Sequence, residues 1–225
     1  METRTPPRFI VFGGTFNPIH LGHMGLVEGL LRRGGVDHLF VVPTRQNPFK
    51  LEQEPLPGAL RWEMVCRALR GIPRVSVLDL EMRRDPPAHT VETLAALGSI
   101  YPEAVFRLAM GWDVYQEFGT WRKAETILEL AGLVVVRRSG SGEVGATEAG
   151  GWLEGLPPPW RDRVSLTEDG HLVSQTGRTV AQFIDLALPE ISASRIREER
   201  ALKWVPEASR GLLAAHWEAL GKAGS

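Results

Sequence analysis

One stretch near the start of the chain constrains its fold more than any other: Phe9-Ile10-Val11-Phe12-Gly13-Gly14-Thr15-Phe16-Asn17-Pro18-Ile19-His20-Leu21-Gly22-His23. Phe9 to Phe12 form a short apolar run of β-favouring residues, which reads as a buried strand. Gly13 and Gly14 remove two Cβ atoms where the chain must turn, and they let a ligand approach the backbone. From Leu21 the period changes. Met24, Val27, Leu30 and Leu31 fall on one face at helical spacing, and Gly34-Gly35 ends the helix. A helix N-terminus carries partial positive charge and usually recruits Ser, Thr, Asp or Asn. This one has His20 and His23 and no acid before Glu28. Free N–H groups and imidazoles both donate to anions, so the pattern predicts a phosphate site. A lone histidine here would more often be incidental; two, straddling a glycine directly after a strand and a glycine turn, favour the phosphate.

Strand-like and helix-like segments then alternate. Strands are expected at 39–42, 75–78, 104–110 and 133–136, and helices at 59–70, 90–97 and 123–131. This rhythm predicts a doubly wound, Rossmann-like parallel sheet with helices on both faces and ligands at the carboxyl ends of the strands. The residues after each strand are therefore the ones to inspect. After Val42 a proline-bearing polar loop carries Arg45 and Lys50, both able to reach an anion. Thr90 reads as the N-cap of the next helix. After Met110, Gly111-Trp112-Asp113 offers a carboxylate that can accept from ribose hydroxyls. Trp121 is a flat surface for an electron-poor ring.

Residues 139–151 are rich in Gly, Ser and Glu and read as a flexible excursion, extending to about residue 163. Pro157-Pro158-Pro159-Trp160 reads as stiff extended chain. Short strands are expected at 164–166 and 172–173 around the Asp169-Gly170 turn, and a last strand at 184–188. Ser192 and Ser194 open a helix, and Arg195 and Arg197 read as lying in its first turn, where the dipole disfavours cations. An anion there would resolve the conflict, with arginine donating as a fork. The tail forms an amphipathic helix with Pro206 near its first turn, so a helical region closes the chain at about 194–220.

A chain of 225 residues fits one domain, and 43% hydrophobic against 24% charged residues is a globular balance. The formal net charge of -1 disfavours a polyanion partner and leaves room for a small anion in a local pocket. No run of residues is long and apolar enough for a membrane span, and Met1 to Arg8 lacks an apolar signal region. The one cysteine, Cys66, excludes a disulfide framework and suits the cytoplasm.

The stretch from Gly13 to His23 resembles the signature of the H-x-G-H nucleotidylyltransferase superfamily, with Asn17 where Asp is usual. Three later stretches extend the resemblance, the first two to its nicotinate-nucleotide adenylyltransferase branch and the third to a motif of the superfamily as a whole. The first is Asp85 through His89-Thr90-Val91-Glu92-Thr93-Leu94, with His89 where Tyr is frequent. The second is Gly111-x-Asp113 followed by Phe118-x-x-Trp121. The third is Ile191-Ser192-Ala193-Ser194-Arg195-Ile196-Arg197, with Ala193 and Ser194 standing where the motif has Ser and Thr. The resemblance implies transfer of AMP from ATP to nicotinate mononucleotide, giving the dinucleotide and pyrophosphate in NAD biosynthesis. It implies catalytic roles for His20, His23 and Arg197. It implies ATP contacts from Gly13, Gly14, Thr15, Phe16, Gly22, Lys50, Asp113, Ser192 and Ser194, and mononucleotide contacts from Thr90, Gly111, Asp113, Trp121 and Arg122. With no dedicated carboxylate cage in the sequence, Mg²⁺ is expected to arrive with ATP. No nucleic-acid or membrane partner is expected, and self-association is left open. Phosphopantetheine, nicotinamide mononucleotide or cytidylyl transfer within the superfamily, and a nucleotide-binding module without turnover, are the alternatives.

Overall fold

The two periodicities resolve into alternating strands and helices in the computed structural model, which describes residues 5–45, 56–85, 89–138 and 149–223. Strand β1 (Arg8–Gly14) is followed by α1 (Leu21–Arg33), β2 (His38–Pro43), α2 (Gly58–Leu69) and β3 (Val75–Val77). Next come α3 (Thr90–Ile100), β4 (Val105–Gly111), α4 (Trp112–Phe118), α5 (Ala124–Leu130) and β5 (Ala131–Arg138). The remainder carries α6 (Ala149–Glu154), α7 (Pro158–Arg161), β6 (Val164–Leu166), β7 (His171–Ser174), β8 (Thr179–Leu186), α8 (Ala193–Glu199) and α9 (Glu207–Ala223).

The strands form one sheet in the order β3-β2-β1-β4-β5-β8-β7-β6. Its first five positions are the order of a doubly wound nucleotide-binding fold. Strand β4 pairs in parallel with β1 and β5, and β5 in parallel with β8. Strands β6, β7 and β8 are antiparallel, so the expected parallel sheet carries an antiparallel edge. Ala131 to Val136 of β5 are all buried, as a strand covered on both faces requires.

The chain divides into two compact units. The first comprises Met1–Gly13, Gly29–Leu39 and His89–Ala187. Its core includes Ile10, Leu30, Leu108, Ile127, Leu133, Val135 and Val180. Helix α1 packs tightly there: a Cβ on Gly29 would lie 2.2 Å from Leu186 Cδ1. The second comprises Gly14–Glu28, Phe40–Ala88 and Leu188–Ser225. Its core includes Ile19, Val41, Val42, Met64, Val65 and Leu213, and buried Ser209 donates to the Met64 carbonyl at 2.7 Å.

Helix α1 ends as its glycines predict. The Gly34 N–H donates to the Leu30 carbonyl at 2.8 Å, and Gly35 takes φ +59°. Four expectations need correction. Thr90 is the first helical residue of α3 and not its cap: His89 is the N-cap, extended at φ -109°, and its carbonyl accepts from Glu92 N–H at 3.0 Å. Pro157-Pro159 does not form extended chain. It opens α7, because proline costs nothing in a first turn where N–H groups lack partners anyway. Of the excursion expected over 139–163, the described part holds α6 and α7, pinned by Trp152 stacking on Phe183 at 4.9 Å and by fully buried Leu156. The last strand starts at Thr179 and ends at Leu186, because it pairs with β5 and β7 over that span.

Candidate active site

Strand β1 delivers Gly13 and Gly14 to a turn that the second unit takes up from Gly14 onward. Phe16 turns back into the fold, 2% exposed and in the left-handed region at φ +46°. A Cβ on Gly14 would lie 3.1 Å from its ring, so glycine is the residue that fits. His20 is the residue before α1, 7% exposed, and its carbonyl accepts from the His23 and Met24 N–H groups at 2.9 and 3.2 Å. His23 Nδ1 accepts from the His20 main-chain N–H at 3.2 Å. This is one half of a capping box: an imidazole three residues on meets the His20 N–H, while the His23 N–H goes to the His20 main-chain carbonyl. The rings stack with centroids 3.7 Å apart, and Phe16 meets His23 edge-on at 5.0 Å. A Cβ on Gly22 would lie 3.0 Å from His20 Cε1 and Nδ1, which explains the glycine between the histidines. Because Nδ1 of His23 accepts, its neutral ring carries the proton on Nε2, a donor suited to a phosphate oxygen. No acid lies in the first turn of α1 to compete for that helix end.

Arg197 reaches the same loop from α8. Its Nη1 donates to the Asn17 carbonyl at 2.5 Å and its Nη2 to Ser194 Oγ at 3.3 Å. Ser192 is the N-cap of α8 as expected, its Oγ accepting from Arg195 N–H at 3.4 Å. The expected conflict of two arginines in the first turn is absent. Arg197 lies in the last turn, where the dipole favours a cation, and exposed Arg195 pairs with Glu199 at 2.6 Å. Asn17 Oδ1 accepts from Leu56 N–H at 2.9 Å.

The sequence reading passed over Arg61, which is 1% exposed on the buried face of α2 with Met64, Val65 and Leu69. Its place in line with the apolar stripe of α2 at helical spacing marks the position as inward-facing, though not what the side chain bonds there. Of the two loop cations, Arg45 is exposed, and Lys50 lies outside the described residues.

The other candidates belong to the first unit. Gly111 is the extended N-cap of α4, and Asp113 lies exposed in its first turn. The Asp113 carboxylate folds over Gly111, where an added Cβ would lie 2.5 Å from Oδ1. Half-buried Trp121 follows α4, its ring 5.6 Å from that of Phe118. Arg122 Nη1 donates to His89 Nε2 at 3.1 Å, beside Thr90. Arginine is always a donor, so His89 Nε2 is the acceptor of this bond. The structure thus joins Arg122 to the residue that stands in the place of the frequent tyrosine.

The cytidylyltransferase-like family model matches residues 11–199. A Syntrophotalea carbinolica protein named "Probable nicotinate-nucleotide adenylyltransferase" is 31% identical over 188 residues, which span 84% of each chain. The chain belongs to this family, among its nicotinate-nucleotide adenylyltransferases. A Maridesulfovibrio salexigens protein of the same name is 40% identical over 130 residues, 57% of this chain and 60% of that one. The solved structure of the Plasmodium falciparum nicotinic acid mononucleotide adenylyltransferase complexed with NaAD matches with a TM-score of 0.69. That match covers 93% of this chain and 96% of the other at 14% identity, and at that identity it establishes the shared fold.

Among the described residues no group of three or more His, Cys, Asp or Glu side chains could hold a metal ion, and no helix is long and apolar enough to cross a membrane.

Proposed function

We infer that this chain joins the AMP part of ATP to nicotinate mononucleotide, giving nicotinate adenine dinucleotide and pyrophosphate. The observation that carries the reading is the histidine pair: two stacked imidazoles, one accepting from the other's main-chain N–H, at a helix N-terminus without an acid. The 5′-phosphate of the mononucleotide is already a nucleophile, so no covalent intermediate or strong base is needed. Its attack on the α-phosphate of ATP forms one P–O bond, breaks the bond to the β-phosphate and releases pyrophosphate. The enzyme must align the two phosphates and neutralise charge on the bridging and leaving oxygens. His20 and His23 serve the transferring and leaving phosphates, and His23 donates from Nε2. Arg197, held on the Asn17 carbonyl, and Ser194 serve the triphosphate tail. Gly13, Gly14, Thr15, Phe16, Gly22 and Ser192 shape that anion site. In the first unit, Asp113 accepts from ribose hydroxyls and Trp121 stacks on the pyridine ring. Thr90 and Gly111 flank that ring, and the Arg122 cation favours the carboxylate over the carboxamide.

Magnesium bound to ATP would neutralise phosphate charge. We place the protein in the cytoplasm, where the thiol of its one cysteine stays reduced.

Pyrophosphate release, followed with ATP and each acceptor in turn, tests the reading. Release should require ATP together with nicotinate mononucleotide. Release with phosphopantetheine or with a CTP-dependent acceptor, and none with either pyridine mononucleotide, would overturn it.

A further inference from the structure

An arginine is almost never fully buried unless its charge is met by partners. Arg61, 1% exposed, is met by main-chain carbonyls instead of a carboxylate. Its Nε donates to Leu56 at 2.9 Å, its Nη1 to Thr15 at 2.6 Å and Thr44 at 2.7 Å, and its Nη2 to Arg45 at 2.7 Å. Burial lowers its pKa from the usual guanidinium value, yet a guanidinium remains charged in a protein. Each acceptor lies in a connecting segment. Thr15 follows β1, Thr44 and Arg45 follow β2, and Leu56 precedes α2. The fixed fork of one side chain therefore ties the β1–α1 connection to both ends of the β2–α2 connection. Thr15 directly precedes Phe16, whose left-handed backbone persists only if its surroundings hold it. Leu56 N–H donates in turn to Asn17 Oδ1, and the Asn17 carbonyl accepts from Arg197. A continuous chain of hydrogen bonds thus runs from Arg61 to Arg197 through the signature loop.

The geometry points to Arg61 as a positioning residue for adenylyl transfer. It acts through the main-chain carbonyls that it holds. It fixes the turns so that the His20–His23 cap and Arg197 share one arrangement. This rests on the adenylyl-transfer reading above. A merely structural Arg61 would affect stability and leave turnover per folded molecule intact.

The test uses the full chain with Arg61→Met, which removes every donor, and Arg61→Lys, which keeps the charge and a compact donor. Melting temperature is measured first, then kcat and KM for both substrates at a temperature where every variant is folded. A misplaced site costs up to about 10²-fold in rate, so Arg61→Met should lose at least about thirtyfold in kcat per folded molecule. Its mononucleotide KM should stay within about threefold, and Arg61→Lys should recover part of the loss. A folded Arg61→Met with kcat close to that of the parent would overturn the assignment. If Arg61→Met does not fold, Arg61→Lys decides: a lowered kcat at unchanged mononucleotide KM supports positioning, and parental kcat overturns it. If the parent releases no pyrophosphate with nicotinate mononucleotide, the reaction reading fails on its own. Calorimetric ATP affinity then decides: weakened binding in Arg61→Lys supports positioning, and unchanged binding overturns it.

Discussion

His23 does two jobs with one ring. Nδ1 caps the His20 N–H, a local task any capping side chain could do, and this leaves the proton on Nε2 for an anion. Gly22 is the cheapest place to perturb that arrangement. Alanine there gains about 0.5–1 kcal/mol of helix preference and pushes on the His20 ring, which must give by a few tenths of an ångström within its stack on His23. Gly22→Ala should therefore keep its melting temperature within about 4 °C, a shift worth about 1 kcal/mol in a chain this size. Its kcat should fall toward about 10²-fold below the parent. A higher melting temperature with full turnover would show that the glycine serves only the helix. His38 gives a pH test. Burial lowers its pKa below 6.5, so the folded state favours the neutral ring. Its stability contribution is fully present above about pH 6.5 and is lost as pH falls through that value toward the folded pKa. His38→Gln should flatten the drop in melting temperature between about pH 7 and pH 5; an unchanged slope would remove His38 from the account. At this scale the histidine pair was legible, because its spacing and flanking glycines are local. The link from His23 back to the His20 N–H was not, since it needs the helix built. Nor was the role of Arg61, since an arginine reads as polar surface until its carbonyl acceptors are in place.

Among elements, α8 carries the site's remaining cation. Arg197→Ala removes the donors to the Asn17 carbonyl and to Ser194 Oγ, and with them the proposed charge-assisted bonds to the triphosphate. Such bonds are worth about 1.5–3 kcal/mol, so the ATP dissociation constant should rise at least about tenfold. Mononucleotide affinity should be spared, and unchanged ATP affinity by calorimetry would defeat the assignment. Strands and long helices were legible from periodicity. The short helices were not. Helix α4 hides behind Gly111-Trp112-Asp113, which reads as a strand-end loop, and α7 behind three prolines that suit a first turn as well as extended chain. The Asp169-Gly170 turn, with Gly170 at φ +73°, announced the β6–β7 hairpin. Its place beside β8 is a long-range pairing that no local pattern encodes.

Across the molecule, the parallel part of the sheet follows from the β-α-β rhythm, and family membership from motifs spread over residues 11–199. Substrate choice is the whole-molecule property with least support in local pattern. The proposed preference for the acid rests on the Arg122–His89 pair in the first unit. Arg122→Gln should lower the kcat/KM preference for the acid over the amide mononucleotide by about tenfold or more, the value of a charge-assisted bond. An unchanged ratio would free Arg122 of that role. The central claim, that stacked histidines at the α1 N-terminus drive adenylyl transfer to nicotinate mononucleotide, is tested most directly by product formation in the parent chain and in His23→Ala. Incubated with ATP and nicotinate mononucleotide, the parent should form nicotinate adenine dinucleotide and pyrophosphate in equal amounts. His23→Ala, with its melting temperature intact, should do so about 10²–10³ times more slowly at little-changed KM. No dinucleotide from the parent, or a destabilised His23→Ala that turns over normally per folded molecule, would contradict it.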